Sequence, residues 1–134
     1  ASAGVGWPGM AAPHLTDLER LAMERVWALG EATVRAVLES LNEDRSRAPR
    51  AYTTVLTIMQ RLEAKGMLVR RRGDGPVVFR PAVARDVYLG ARVDAEVSRL
   101  VEDFGELALV QFARQVQALD PARREALRRL GEAD

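Results

Sequence analysis

The sequence predicts a mainly α-helical protein that carries one small β-hairpin. Three observations lead there. Apolar residues recur at intervals of three and four through most of the 134 residues. Between Met67 and Arg80 the period changes to two around Gly73-Asp74-Gly75, the pattern of two short strands and a turn. Glycines and prolines at 30, 49, 66, 81, 105 and 121 divide the rest into short helices.

The elements follow in order. The opening ASAGVGWPGMAAP is rich in Gly, Ala and Pro, and residues 1–14 read as a disordered tail. It lacks a basic n-region and a continuous apolar run, so it does not read as a secretory signal. Thr16 is the expected N-cap of the first helix, and Glu19 three residues later completes a capping box. Leu18, Ala22, Met23, Val26 and Trp27 then keep helical spacing up to Gly30, with Trp27 read as core. Glu31-Ala32-Thr33 is read as one small strand. Val34, Val37, Leu38 and Leu41 make the apolar face of a second helix.

Residues 42–50, NEDRSRAPR, are polar, contain Pro49 and read as a loop. A third helix runs from about Ala51 to Lys65 on the stripe Val55, Ile58, Met59 and Leu62, and Gly66 stops it. Two strands follow, Met67 to Arg72 and Val77 to Arg80, with Pro76 tolerated at an edge. Helix, helix, helix, hairpin is the order of the winged version of the helix-turn-helix. Beyond Pro81 the pattern is helical again. Val93, Val97, Leu100, Val101 and Phe104 form one stripe, Gly105 breaks it, and Leu109, Phe112, Val116 and Leu119 form a second. Asp120-Pro121 starts a last helix through Leu127 and Leu130. Short helices of this kind bury little alone, and the simplest partner for their stripes is the same segment of a second chain.

The fold class is therefore an N-terminal winged helix-turn-helix followed by a C-terminal helical dimerisation lobe. The expected divisions are a tail over 1–14, a winged-helix domain over 15–82 and a helical dimerisation region over 83–134. No internal repeat is visible.

Composition excludes several functions. The chain has no cysteine and one histidine, His14, read as a tail residue. Thiol nucleophiles, thiolate metal sites and His-based dyads are thereby removed, and no metal or other cofactor is expected. Glu102, Asp103 and Glu106 read as a solvated helix end, and Gly73-Asp74-Gly75 lacks the spacing of a phosphate-binding loop. Trp7, Trp27, Tyr52 and Tyr88 are too scattered to form a base-stacking platform. No Ser/His/Asp set can be assembled, so an enzyme is not expected. There is no run of 18 apolar residues, so no membrane insertion is expected.

The net charge of +1 conceals a local excess. Residues 45–85 hold ten basic side chains against Glu63 and Asp74, net +8, whereas residues 86–134 hold seven against ten, net −3. That polarity suits a polyanion partner for one region. All basic residues but Lys65 are arginines, which suit phosphate and guanine recognition, although a GC-rich genome gives the same bias.

On the third helix, Thr53, Thr54, Thr57, Gln60 and Arg61 lie opposite the core stripe. Small hydroxyl-bearing side chains let a helix backbone approach base edges, and Gln60 and Arg61 are longer donors. A plain solvated face would carry more Glu and Lys, and threonine is a poor helix former. Arg50 before the helix is a phosphate candidate from the loop. In the hairpin, Arg70, Arg71, Arg72 and Arg80 cluster on two short strands. Alternation sends Arg70 and Arg72 to one side and Arg71 to the other; the cluster can hold phosphates or merely blunt an exposed edge.

These segments resemble the penicillinase-repressor family of bacterial winged-helix repressors. The carrying residues are LTDLERLAMERVW (15–27), AYTTVLTIMQRLEAKGML (51–68) and the hairpin ending VVFRP (77–81). The form of AYTTVLTIMQRL is similar to the actinobacterial branch, and the likeness spans about 15 to 130. It implies a cytoplasmic homodimer that binds a palindromic operator in double-stranded DNA and represses genes of β-lactam resistance or related envelope functions. Carried over by position, the helix contacts fall on Thr53, Thr54, Thr57 and Arg61 and the wing contacts on Arg71 and Arg72. The C-terminal helices are the family's dimer lobe. The resemblance also implies release by a membrane sensor protease that cuts an Asn-Phe bond in that lobe. The matching pair here is Gln111-Phe112, a departure from Asn. Copper-sensing relatives carry C-terminal cysteines, which this chain lacks. From the residues alone, a protein-docking winged helix or a nonspecific DNA-binding protein is the alternative.

Overall fold

The computed structural model describes residues 12–71 and 73–132. Its elements are α1 (Asp17–Leu29), α2 (Val34–Asn42), α3 (Tyr52–Ala64), β1 (Leu68–Arg71), β2 (Val78–Pro81), α4 (Arg85–Phe104), α5 (Glu106–Gln117) and α6 (Pro121–Glu132). The chain is mainly helical with one antiparallel hairpin, as expected. It divides into two compact units, one up to Val93 and one from Asp94. This division falls inside α4, whose first turns, with Val83 before them, add Tyr88 and Val83 to the core of the first unit.

The capping box forms. The Glu19 backbone N–H donates to Thr16 Oγ1 at 3.3 Å, and the Thr16 N–H donates to Glu19 Oε1 at 2.8 Å. Each closes an otherwise open polar group at the helix start. Ala22, Met23 and Val26 of α1 meet Val37 of α2 and Val55, Met59 and Leu62 of α3 in one core. Gly66, at φ +80°, turns the chain out of α3 in the left-handed region where a side chain is strained. Met67 and Leu68 then close the core from the hairpin side.

The hairpin pairs Leu68 with Pro81, Val69 with Arg80, Arg70 with Phe79 and Arg71 with Val78. The strand expected over 31–33 reduces to a bridge. Ala32 and Phe79 exchange both backbone hydrogen bonds, at 2.9 and 2.8 Å, which moors β2 to the turn between α1 and α2. Trp27 is half-buried and not full core; its Nε1 donates to the Val83 carbonyl at 2.9 Å and its ring lies 5.9 Å from that of Tyr88.

Residues 12–14 correct the expected tail. Ala12 is buried, and the carbonyls of Ala12, Pro13 and His14 are each held by a side chain from another element. Residues 1–11 lie outside the described residues. Among the described residues no helix is long and apolar enough to cross a membrane.

Candidate nucleic-acid interface

The loop before α3 fixes where that helix begins. Asn42, at the end of α2, pairs reciprocally with the Arg50 backbone: Arg50 N–H donates to Asn42 Oδ1 at 2.8 Å, and Asn42 Nδ2 donates to the Arg50 carbonyl at 3.2 Å. Inside it, Asp44 Oδ1 accepts from the Ser46 N–H at 3.0 Å, an Asx turn. The Ser46 hydrogen bonds hold the Asp44 carboxyl below its ordinary range. The loop is thus a clamped span, and Arg50 is delivered at a set position one residue before the Ala51 cap.

On α3 the helical period separates two faces. Val55, Ile58, Met59 and Leu62 are buried, and Thr53, Thr54, Thr57, Gln60 and Arg61 are all exposed. The structure brings these five predicted side chains onto one outward surface. No hydrogen bond or ion pair joins the Arg61 or Arg50 guanidinium to another described residue, so both are available to a ligand. Beside them, a cleft of about 590 Å³ opens between the start of α2, the flank of α3 and the hairpin. Tyr52 lies in its wall with the Arg35 guanidinium 5.3 Å above the ring. Neither side chain was singled out from sequence as a pair, because their approach depends on how α2 crosses α3.

The hairpin sorts its arginines by register. Paired residues of an antiparallel ladder share a face, so Arg70 lies on the face of Phe79, which is buried. Arg70 stacks 5.5 Å over that ring, and its Nε donates to Glu63 Oε2 at 2.9 Å and Oε1 at 3.1 Å. It lids the core and ties the wing to α3. Arg71 and Arg80 point away from it, with Val78 and Val69. Arg71 Nη2 lies 3.4 Å from Glu31 Oε1 in an exposed ion pair, and Arg80 has no ion-pair partner among the described residues. Arg80 is the wing cation that sequence placed in the cluster but not in the contact set; its pairing opposite Val69 is the signal. Arg72 lies outside the described residues.

The predicted dimerisation residues lie from α4 onward. Val97, Leu100 and Val101 are half-buried, while Val93, Phe104, Leu109, Phe112 and Val116 are exposed. Among the described residues after Asp94, Ala108 alone is buried. Leu107 and Val110, which fall off the α5 stripe, are exposed apolar residues as well. Leu100, Phe104, Leu107, Ala108, Gln111 and Phe112 line an apolar hollow at the α4–α5 bend, which Gly105 makes at φ +63°. Gln111 and Phe112 both sit inside α5. No group of three or more carboxylates or imidazoles able to hold a metal occurs among the described residues.

Three helices with a threonine-rich outward face on the third, and a two-stranded wing beside it, define the winged-helix class of DNA-binding regulators. The penicillinase repressor family model matches residues 15–133, and the chain belongs to that family. It is a transcriptional regulator and not an enzyme. Two curated relatives from Mycobacterium tuberculosis (strains CDC 1551 / Oshkosh and ATCC 25618 / H37Rv), each described as "Transcriptional regulator BlaI", are 41% identical to it over 120 residues, which cover 87% of this chain and 81% of theirs. Among solved structures, monomeric BlaI of Bacillus licheniformis in complex with the blaP half-operator matches at a TM-score of 0.47 and 21% identity, over 56% of this chain and 88% of that one. A PadR family regulator from Eggerthella lenta matches at a TM-score of 0.42 and 25% identity, over 68% and 85%.

Proposed function

We propose that the protein is a homodimeric repressor that reads a palindromic operator through α3 and grips the backbone through its wing. The observation that carries this reading is the outward face of α3, where Thr53, Thr54, Thr57, Gln60 and Arg61 stand together, exposed, beside Arg50. Small hydroxyl side chains admit the helix to the major groove and meet base edges, and the arginines supply charge for phosphates. Arg80 and Arg71 extend that charge along the outer face of the wing, with Arg72 next in sequence as a further wing contact.

The second copy follows from energetics. Among the described residues of the unit from Asp94, Ala108 alone is buried, and each large apolar side chain that a partner covers contributes about 1.5–3 kcal/mol. Val93, Val97, Leu100, Val101, Phe104, Leu109, Phe112 and Val116 supply such a face, and a two-fold pairing would cover it in both chains. Family membership and the M. tuberculosis relatives support β-lactam-resistance or related envelope genes as the targets, in the cytoplasm. The same reading gives a winged-helix domain over 15–82, a dimerisation region over 83–134 and release by a membrane sensor protease at Gln111-Phe112. That bond lies within α5, so cleavage needs the helix to open locally.

The test is selection of bound duplexes from a random library, followed by the stoichiometry on the recovered duplex. Two inverted half-sites about one helical turn apart, with two chains bound, are expected. A duplex bound by one chain, or recovery of no motif, would overturn the dimeric repressor and leave a docking module or a nonspecific DNA binder.

A further inference from the structure

Lys65 is the single lysine of the chain and caps the C-terminal end of α3. Its Nζ lies 2.6 Å from Glu19 Oε1 and donates to the His14 carbonyl at 3.0 Å. Glu19 is buried, and the same oxygen accepts from the Thr16 N–H. One residue before His14, the Pro13 carbonyl accepts from the buried Tyr88 hydroxyl at 2.6 Å, and one further back the Ala12 carbonyl accepts from Arg92 Nη1 at 3.3 Å. Three successive carbonyls are therefore gripped, the first two from α4 and the third from the end of α3. Ala12 and Tyr88 also pack in the core, and this strap joins the end of α3 to the first half of α4.

We propose that Lys65 is a positioning residue for operator recognition, acting through residues 12–14 and Tyr88 to fix α3 against α4. This rests on the reading of α3 as the base-reading helix and of the apolar residues from Val93 of α4 onward as the dimer face. In a dimer, α3 must be held relative to α4 for two recognition helices to keep one spacing. One base pair added between half-sites moves them by about 3.4 Å and about 35° around the duplex. A dimer with α3 held firmly misses one half-site at that offset, and a loosened one reaches it.

The experiment uses the full chain and the duplex recovered by library selection, with its half-sites at the selected spacing and at one base pair more or less. Tyr88→Phe removes one grip without touching α3. Lys65→Met combined with Glu19→Gln removes another; the glutamine oxygen still accepts from Thr16 and no buried charge is stranded, so the fold is retained. Wild type is expected to prefer the selected spacing by on the order of tenfold. Both variants are expected to lose that preference to within about twofold while keeping wild-type affinity for a single half-site. Retention of the full preference by both variants would overturn the inference, as would a loss confined to single half-site affinity that follows their melting temperatures. A wild type that selects no palindrome fails the reading beneath it, which is a separate result.

Discussion

The sorting of the hairpin arginines makes a quantitative forecast for how DNA binding responds to salt. The perturbations are Arg70→Ala, Arg71→Ala and Arg80→Ala, compared with wild type on one duplex. Each phosphate contact contributes about 0.9 to the slope of log affinity against log salt. Raising salt from about 50 to about 200 mM is a fourfold change, so losing one contact leaves a variant about 3.5-fold less salt-sensitive over that range. Arg80 has no competing carboxylate among the described residues, so Arg80→Ala should show the full slope change. Arg71 must loosen from Glu31, an exposed pair worth about 0–1 kcal/mol. Arg71→Ala should therefore show the same slope change with an affinity loss smaller by up to about 1 kcal/mol. Arg70 faces the core. Its removal should leave the slope within about 0.2 of wild type and instead lower stability by about 1 kcal/mol, from the Phe79 stacking and the Glu63 pair. Fluorescence anisotropy across a salt series reads the slopes, and thermal denaturation reads the stability. If Arg70→Ala flattens the slope as much as Arg80→Ala, the assignment of hairpin faces is wrong. If neither Arg71→Ala nor Arg80→Ala changes it, the wing does not touch DNA.

Three further outcomes are expected. Thr54→Ala and Thr57→Ala should each cost roughly 1–3 kcal/mol on the selected duplex and little on random DNA, and equal losses on both would remove base reading from α3. Phe112→Asp, placing a charge on the exposed apolar face of α5, should weaken self-association by about 100-fold or more in sedimentation equilibrium; unchanged association would move the dimer interface elsewhere. In acid, the two carboxyls whose ion pairs join distant elements, Glu19 with Lys65 and Glu24 with Arg85, are the informative ones. Burial pushes the Glu19 pKa up, but the Lys65 and Thr16 hydrogen bonds and the Lys65 charge outweigh it and bring it below the ordinary 4.5. The Arg85 hydrogen bond chiefly holds Glu24 below the same value. Lowered folded values give stability that is present above about pH 4.5 and lost as pH falls through those values. Glu19→Gln should accordingly flatten the fall in melting temperature below pH 4.5, and an unchanged acid profile would mean that the pair with Lys65 contributes nothing.

Most of the fold was legible because its signals are local. The Thr16–Glu19 capping box, the stop at Gly66 and the turn at 73–75 each depend on a few neighbouring residues, and all three occupy the expected places. The outward face of α3 was legible for the same reason: the 3.6-residue period that buries Val55 and Leu62 exposes Thr54 and Arg61. What stayed hidden depends on contacts between distant segments. Alternation separated Arg70 from Arg71 but could not say which faced the core; pairing Arg70 with Phe79 decides it. Glu19 reads as a cap, and its bond to Lys65 spans 46 positions. Ala12, Pro13 and His14 have the composition of a tail, yet their backbone carbonyls do the binding, and composition does not report on carbonyls.

The central claim, that α3 enters the major groove of a duplex, can be tested with one reagent because the chain has no native cysteine. Thr57→Cys provides a single thiol on the outward face of α3, to which a photo-crosslinker can be attached. On the selected duplex, crosslinks are expected at bases of two major-groove segments about one helical turn apart, while the same probe at Glu102→Cys on α4 should give none. Crosslinks absent at position 57, or as frequent at position 102, would contradict recognition by α3.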